Sequence, residues 1–429
     1  MKTFFKKIIT YILQIESRLV LYKYKPKIVA ITGSVGKTST KDAVYAVLSK
    51  ISHVRKSEKS YNSEIGLPLT ILGVPNGWNS PVLWLRNIFK SLWLFLTPHQ
   101  YPKWLVLEVG IGKPNDMRRT ASWLQTDVVI VTAIGETPAH IEFFNSRKDI
   151  IEEKSQLIRT LKKDGLLILN ADDEDVSQMR TQTKNITITY GFKGGADVLG
   201  SADSIFYDEK SKPGGLIFRV DEEGNSFPVV IEGVFGRNHA YASLGALALT
   251  SRLKFNVLSA INSLKHYDVA PGRMRLLQGI NDSLIIDDTY NSSPVACESA
   301  LNTLGEIKCN RKIAILGDML ELGKHTALAH KNIGRIAKEK SDMLIVVGPR
   351  AEDIKNGALE NKMNKKNIFE FLNSAEAGEF LKNFVQAGDL VLVKGSQGMR
   401  MERVVEAVLF DQKNKNKLLV RQDEGWQKR

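Results

Sequence analysis

Cysteine is scarce in this chain: two residues among 429, Cys297 and Cys309, with no CxxC pair. That excludes a disulfide framework and a thiolate metal centre, fits a reducing cytoplasm, and leaves neither thiol with a case for catalysis. Long apolar runs are missing too. No stretch reaches the roughly eighteen consecutive apolar residues of a membrane span, so a soluble protein is expected. The N-terminus carries no small-residue cleavage site of a signal peptide. Neither a short-period repeat nor a long low-complexity linker interrupts the chain. Acidic residues are in deficit, 47 against 60 lysines and arginines, for a formal charge of +13. This favours anionic partners such as phosphates or an acidic membrane surface. The excess is spread along the chain rather than gathered into a groove, so no nucleic-acid partner is expected.

The residues around which the chain is organised are Ile31-Thr32-Gly33-Ser34-Val35-Gly36-Lys37-Thr38-Ser39. An apolar strand breaks into a glycine turn and restarts as a helix, which is the pattern of a phosphate-binding loop. Gly33 and Gly36 let backbone N–H groups face an anion, and Ser34, Lys37, Thr38 and Ser39 add hydroxyls and an ammonium. The interval from Gly33 to Lys37 is shorter than in the common GxxxxGK[ST] pattern, which points to a subclass of nucleotide-binding proteins.

After the loop, apolar strands alternate with helical stretches. Trp104 to Glu108 ends in a carboxylate where a parallel sheet presents its ligands, so Glu108 is placed to bind the magnesium of a nucleotide. Asp127 to Ala133 leads to His140; a helix over 146–161 carries Lys154; Leu166 to Leu169 is a further strand. From Tyr190 to Val230 short β-like runs with glycines predict an antiparallel appendage. A second strand-helix series follows Pro271-Gly272-Arg273, with strands at 284–287, 312–316, 343–347 and 390–393. The alternation predicts an α/β protein: a P-loop doubly wound central ATPase domain followed by a Rossmann-like C-terminal α/β domain. The expected division is a basic amphipathic helix over 1–26, a central domain over 27–270 and a C-terminal domain over 271–429. The lysine-rich tail from Asp411 reads as solvated. Two segments lean toward a membrane surface. One is Met1 to Tyr24, with Phe4, Ile8, Ile12, Ile15 and Leu19 beside Lys2, Lys6 and Lys7. The other is Pro81 to Pro98, with Trp84, Phe89 and Trp93 beside Arg86 and Lys90. Packing on the domain or on another subunit is the other reading of both.

These motifs, with Asn62-Ser63-Glu64-Ile65-Gly66-Leu67-Pro68, Pro138-Ala139-His140, Asp287-Asp288-Thr289-Tyr290-Asn291, Leu316 to Gly323 and Val393-Lys394-Gly395-Ser396, resemble the Mur ligases. The branch most similar is the UDP-N-acetylmuramoyl-tripeptide:D-alanyl-D-alanine ligases. The resemblance runs from about Lys27 to Val405. It implies ATP-dependent amide formation in cell-wall peptidoglycan synthesis, with ATP and Mg2+ as cofactors, a muramoyl-peptide carboxylate and a D-alanyl-D-alanine amine as substrates, and an acyl phosphate between them. By the same resemblance Lys37 neutralises the γ-phosphate, and Thr38, Glu108, His140 and a carbamylated Lys154 are metal positions. Asn238, Arg273, Asp288, Tyr290 and Asn291 hold the nucleotide, and Asn62 and Lys394 meet substrate. Asp318 and Glu321 are left out of the site.

Two departures stand out. The family's Gly-Arg-His-Asn is here Gly236-Arg237-Asn238-His239, and the phosphate loop begins at Gly33, where relatives carry a UDP-binding domain ahead of it. Either other surfaces grip the nucleotide sugar, or a protein partner supplies that domain, or the acceptor is not a UDP-sugar peptide. The competing readings are therefore a Mur-like ligase with a lipid-linked acceptor at the inner face of the membrane, and a non-catalytic nucleotide-gated scaffold.

Overall fold

The computed structural model describes residues 2–58, 61–136, 138, 140–222, 224–423 and 426, with the side chains of residues 2–5 left aside. Met1, Lys59, Ser60 and Ala139, which fall within stretches singled out above, lie outside the described residues, as does the side chain of Phe4.

Two sheets organise the chain. The larger has nine strands among the described residues: β1 (Lys27–Thr32), β2 (Val54–Lys56), β3 (Trp104–Glu108), β4 (Thr126–Val131), β5 (Leu161–Asn170), β6 (Ile186–Gly191), β7 (Val198–Tyr207), β8 (Pro213–Glu222) and β9 (Asn225–Glu232). Their order is β2-β3-β1-β4-β5-β6-β7-β8-β9. Strands β2 to β7 pair in parallel, while β8 and β9 close the edge antiparallel, which is the expected appendage.

The parallel strands are apolar on both faces because both are covered. In β1, Val29 and Ile31 enter one core with Val44, Val47 and Leu247, while Ile28 and Ala30 enter the other with Leu13, Leu67 and Leu107. The first core is roofed by α2 (Lys37–Leu48) and the alanine-rich helix Arg237–Leu253; the second by α1 (Lys2–Tyr24), α3 (Gly66–Leu72) and α4 (Pro81–Leu96). Each fully buried Val, Leu or Ile contributes about 1.5–3 kcal/mol, and burial is almost continuous along the central strands, alternate side chains entering opposite cores. The chain leaves β1 toward β2 on one side and returns past it to β4 on the other. Crevices at the carboxyl ends of β1, β3 and β4 lie at that reversal.

The smaller sheet holds β10 (Arg275–Gln278), β11 (Leu284–Asp288), β12 (Arg311–Gly317), β13 (Met343–Val347), β14 (Ile368–Phe371) and β15 (Asp389–Lys394), in the order β10-β11-β15-β12-β13-β14. All pairs except β10-β11 are parallel, and apolar cores lie on both faces. The α/β reading with two sheets therefore holds. The tail does not behave as expected. Leu419 is buried against the smaller sheet, and Arg421 is buried with its guanidinium donating 2.8 Å to Glu402. A pair of opposite charges and two leucines give this segment a packing partner that its lysine-rich composition hides.

Candidate functional site

The loop after β1 is held by backbone geometry. Gly33 has φ 142°, and a Cβ there would lie 1.9 Å from Thr132 Oγ1. Ser34 and Val35 donate backbone N–H to Ala133 O at 2.7 and 3.0 Å, tying the loop to the end of β4. Gly36 takes a left-handed φ of 85° immediately before α2, so the first turn of that helix opens toward the cleft.

Lys37 Nζ donates 2.9 Å to Gly33 O, and Lys154 Nζ donates 2.8 Å to the same carbonyl from the helix Arg147–Ser155. Burial lowers the pKa of both lysines. For Lys37 the Glu108 carboxylate works against that fall; for Lys154 the charge of Lys37 adds to it, and the fall is large. An exposed helix lysine, the ordinary alternative for Lys154, does not describe a side chain 4% exposed.

Thr38 Oγ1 donates 3.0 Å to Glu108 Oε2, and Asn62 Nδ2 donates 3.2 Å to the other oxygen. Lys41, a residue the sequence reading passed over, sits 3.9 Å from Glu108 Oε2 and is 2% exposed. A hydroxyl and one carboxylate, with room for phosphate oxygens, suit Mg2+, which takes few protein ligands and prefers hard oxygen. His140 and Lys154 do not join that pair. His140 Nδ1 lies 2.6 Å from Glu321 Oε2 of the smaller-sheet unit, and that contact holds the Glu321 carboxyl below its usual range against the opposing effect of burial. Glu321 thus contacts a residue of the cleft, while Asp318 shapes its loop by accepting 2.8 Å from Ala351 N.

From the other side of the cleft, Arg273 Nη2 donates 3.1 Å to Thr38 Oγ1, and the guanidinium carbon lies 4.0 Å from the centre of the Tyr290 ring. Gly272, at φ 71°, makes that approach possible, since a Cβ would meet Tyr290 N at 2.8 Å. His239 is buried with Nε2 2.8 Å from Arg273 O, and burial lowers its pKa. Asn238 and His239 both border the cleft, the histidine ring being the one held in place by Arg273 O. Lys394 Nζ donates 2.6 Å to Asp288 Oδ2 and 3.0 Å to Asn291 O, and Asn291 Oδ1 accepts from Gln397 N at 3.3 Å. Arg421 donates to the Thr289 and Tyr290 carbonyls from below. It is a supporting residue that only the tertiary contact reveals.

One cleft of about 590 Å³ lies between the two sheets, with Ser34, Lys37, Thr38 and Ser39 on one wall and Asp288, Tyr290, Asn291 and Lys394 on the other. Ser34 Oγ and Arg273 Nε are buried without a hydrogen-bond partner. Both are donors in a crevice of donors, which fits a polyphosphate.

Residues 31–250 match the Mur ligase middle domain and residues 272–397 match the Mur ligase glutamate ligase domain. A UDP-N-acetylmuramoyl-tripeptide–D-alanyl-D-alanine ligase of Bacillus subtilis is 28% identical over 400 residues, covering 92% of this chain and 79% of that protein. The enzyme of the same name from Escherichia coli is 25% identical over 385 residues, covering 89% and 76%. The crystal structure of a MurF ligase from Thermotoga maritima in complex with ADP superposes with a TM-score of 0.76 at 26% identity, covering 93% of this chain and 83% of that one. On the two matched domains and the shared fold, the chain belongs to the Mur ligase family.

Proposed function

We propose that this protein is an ATP-dependent peptide ligase of peptidoglycan precursor synthesis that adds D-alanyl-D-alanine to a muramoyl peptide. The observation that carries the reading is the meeting of Lys37, Thr38 and Glu108 from the larger sheet with Arg273 from beyond the Gly272 turn, in one cleft. Residues 27–270 would serve as the nucleotide-binding domain and 271–429 as the domain that closes on it.

The chemistry is a meeting of anions. A peptide carboxylate oxygen attacks the γ-phosphorus of ATP and ADP leaves. The amine of the dipeptide then attacks the acyl carbon, phosphate leaves and the amine loses a proton. Such transfers depend on positioning and charge neutralisation more than on covalent help from the protein. Lys37 and the backbone N–H groups of the first turn of α2 neutralise the β- and γ-phosphates, and Arg273 reaches the same oxygens from the opposite wall. Thr38 and Glu108 would hold Mg2+, which supplies further neutralisation when bound. Tyr290 and Asn238 flank the space for the nucleoside.

Lys154 and His140 have roles to be tested at the acyl phosphate. Burial makes the Lys154 ammonium give up its proton more readily, and a neutral amine adds CO2 to give a carbamate and a proton. That product is an anion beside the loop. His140 would serve after release from Glu321. The enzyme would work in the cytoplasm against the membrane, a placement supported by the basic helices α1 and α4.

ADP release by the full chain, measured with a muramoyl tripeptide and D-alanyl-D-alanine together and singly, tests the reading. Release that needs both substrates supports the ligase. Nucleotide binding without release from any pair supports a scaffold and overturns it.

A further inference from the structure

Helices α1 and α4 lie side by side over one face of the larger sheet, and each is apolar on two sides. α1 buries Ile9, Leu13 and Val20 but turns Ile8, Tyr11, Ile15 and Leu19 to solvent. α4 buries Trp84 with Asn87 and Ser91, and exposes Val82, Leu85, Phe89, Trp93 and Leu96, a stripe at helical spacing in which Phe89 and Trp93 are each 62% exposed. The helices are locked together: Lys23 Nζ donates 2.6 Å to both Phe95 O and Thr97 O at the end of α4, and Tyr24 OH donates 2.9 Å to Leu94 O. Lys6, Lys7, Arg18, Arg86 and Lys90 rim the exposed stripes, and the single acidic residue of the two helices, Glu16, is buried.

At the N-terminal ends of both helices lies a second cavity, of about 1340 Å³, closed on its far side by the tail. Ile9, Leu69, Trp78, Trp84, Val420 and Trp426 give it an apolar lining, with Lys6 and Arg421 as cations. It opens into the nucleotide cleft, since Thr38, Ser63, Ile65, Tyr290 and Gln397 border both. This space is larger than an ordinary small-ligand pocket and more apolar than a dipeptide requires.

We propose that the α1–α4 face seats on an acidic bilayer, and that the adjoining cavity receives an acceptor borne by that bilayer. The acceptor is an amphiphile whose anionic head carries a peptide carboxylate to Thr38 while its hydrocarbon stays toward Trp78 and Trp84. The proposal rests on the ligase reading for the chemistry and on the exposed face for the docking. An apolar stripe rimmed by cations, on a helix that stays at the surface, is what binds an anionic interface. None of the described helices is long and apolar enough to cross a membrane, so the pair lies on the surface. A second copy of this chain would bring the same cations against themselves, and like charges at an interface oppose association.

The test uses the full chain with vesicles of phosphatidylcholine alone or with phosphatidylglycerol. Sedimentation should carry the protein down with the anionic vesicles only, and the double variant Phe89→Ser, Trp93→Ser should lower partitioning about tenfold or more. ADP release is then compared for a muramoyl tripeptide on a UDP carrier and on a polyprenyl diphosphate in those vesicles, each with D-alanyl-D-alanine. The vesicle-borne acceptor should turn over at least about tenfold faster, and Asn79→Trp at the cavity mouth should remove that advantage while leaving ATP binding unchanged. No vesicle binding, or equal turnover of the water-soluble acceptor without vesicles, overturns the proposal and leaves the ligase standing. A dimer that covers Phe89 and Trp93 in light scattering, or a protein partner needed for turnover, overturns it too. The absence of ADP release from every acceptor overturns the ligase reading instead, and vesicle binding still decides the docking face.

Discussion

Replacing Gly33 by alanine should cost the fold about 2–5 kcal/mol, from two separable sources. The residue sits at φ 142°, where a side chain is strained by roughly 1–3 kcal/mol. The new Cβ would also fall 1.9 Å from Thr132 Oγ1 and 3.2 Å from Ala133 O. Thr132 must then swing away, losing the hydrogen bond it donates to Val35 O at 2.6 Å and its approach to Thr32 O at 3.1 Å. That loss is worth about 1–2 kcal/mol, since a buried carbonyl is left short of a partner. Urea unfolding of the parent, Gly33→Ala, Thr132→Ala and the double variant separates the terms. In the Thr132→Ala background the collision with Oγ1 is gone, so Gly33→Ala should cost about 1–2 kcal/mol less than in the parent. ADP affinity should fall in the same series, because Gly33 O orients both Lys37 and Lys154. Strict additivity, or a single-variant cost under about 1 kcal/mol, would refute the steric account of the loop.

Glu108→Gln should leave the fold intact by circular dichroism, yet reduce kcat/KM for ADP formation about a hundredfold, because Thr38 and Asn62 then face an amide in place of a carboxylate. Partial recovery at raised Mg2+ is expected; an unaltered Mg2+ dependence would remove Glu108 from the metal site. If Lys154 forms a carbamate, enzyme equilibrated with 13C-bicarbonate should show a carbamate carbon resonance that Lys154→Arg lacks, and CO2 depletion should slow ADP formation reversibly; a missing resonance rules the carbamate out. Glu16 tests burial by pH. Desolvation raises its pKa from 4.5 to about 7, so the native state holds a proton that the unfolded chain releases. Its penalty is absent below the unfolded pKa and grows as pH rises toward 7. Glu16→Gln should therefore be more stable than the parent by about 1–3 kcal/mol near pH 8 and equal to it near pH 4 in denaturant titrations; the same difference at both would refute the assignment.

The strands that were legible from residues alone are those buried on both sides. Met343–Val347 is an unbroken apolar run and Trp104–Glu108 is one up to its closing carboxylate, and burial on both faces of a parallel sheet demands such runs. Edge strands escaped for the converse reason. Ile368–Phe371 and Arg275–Gln278 are only four residues long and include charged or amide side chains, and most of their positions are half-exposed or exposed, so their pattern matches a loop as well as a strand. Strand order was unreadable, because it depends on which crossover passes over β1. The site divides along the same line. Gly33 to Thr38 and Glu108 could be located because a local break from strand to turn carries their chemistry. The His140–Glu321 contact and the buried Arg421 could not: the first joins two motifs far apart in the chain, and Arg421 belongs to no motif.

Arg421 shows what such a contact does to the site. Its guanidinium bonds Glu402 and the Thr289 and Tyr290 carbonyls; the Tyr290 ring lies under Arg273; and Arg273 reaches Thr38. Burial lowers the pKa of Arg421 while the Glu402 carboxylate opposes that fall, so the cation is kept where desolvation disfavours it. A buried cation is retained only with its partners in place. The tail and the phosphate loop therefore depend on one continuous set of contacts, and the position of Arg273 in the cleft is set from the smaller-sheet side as much as from the loop itself.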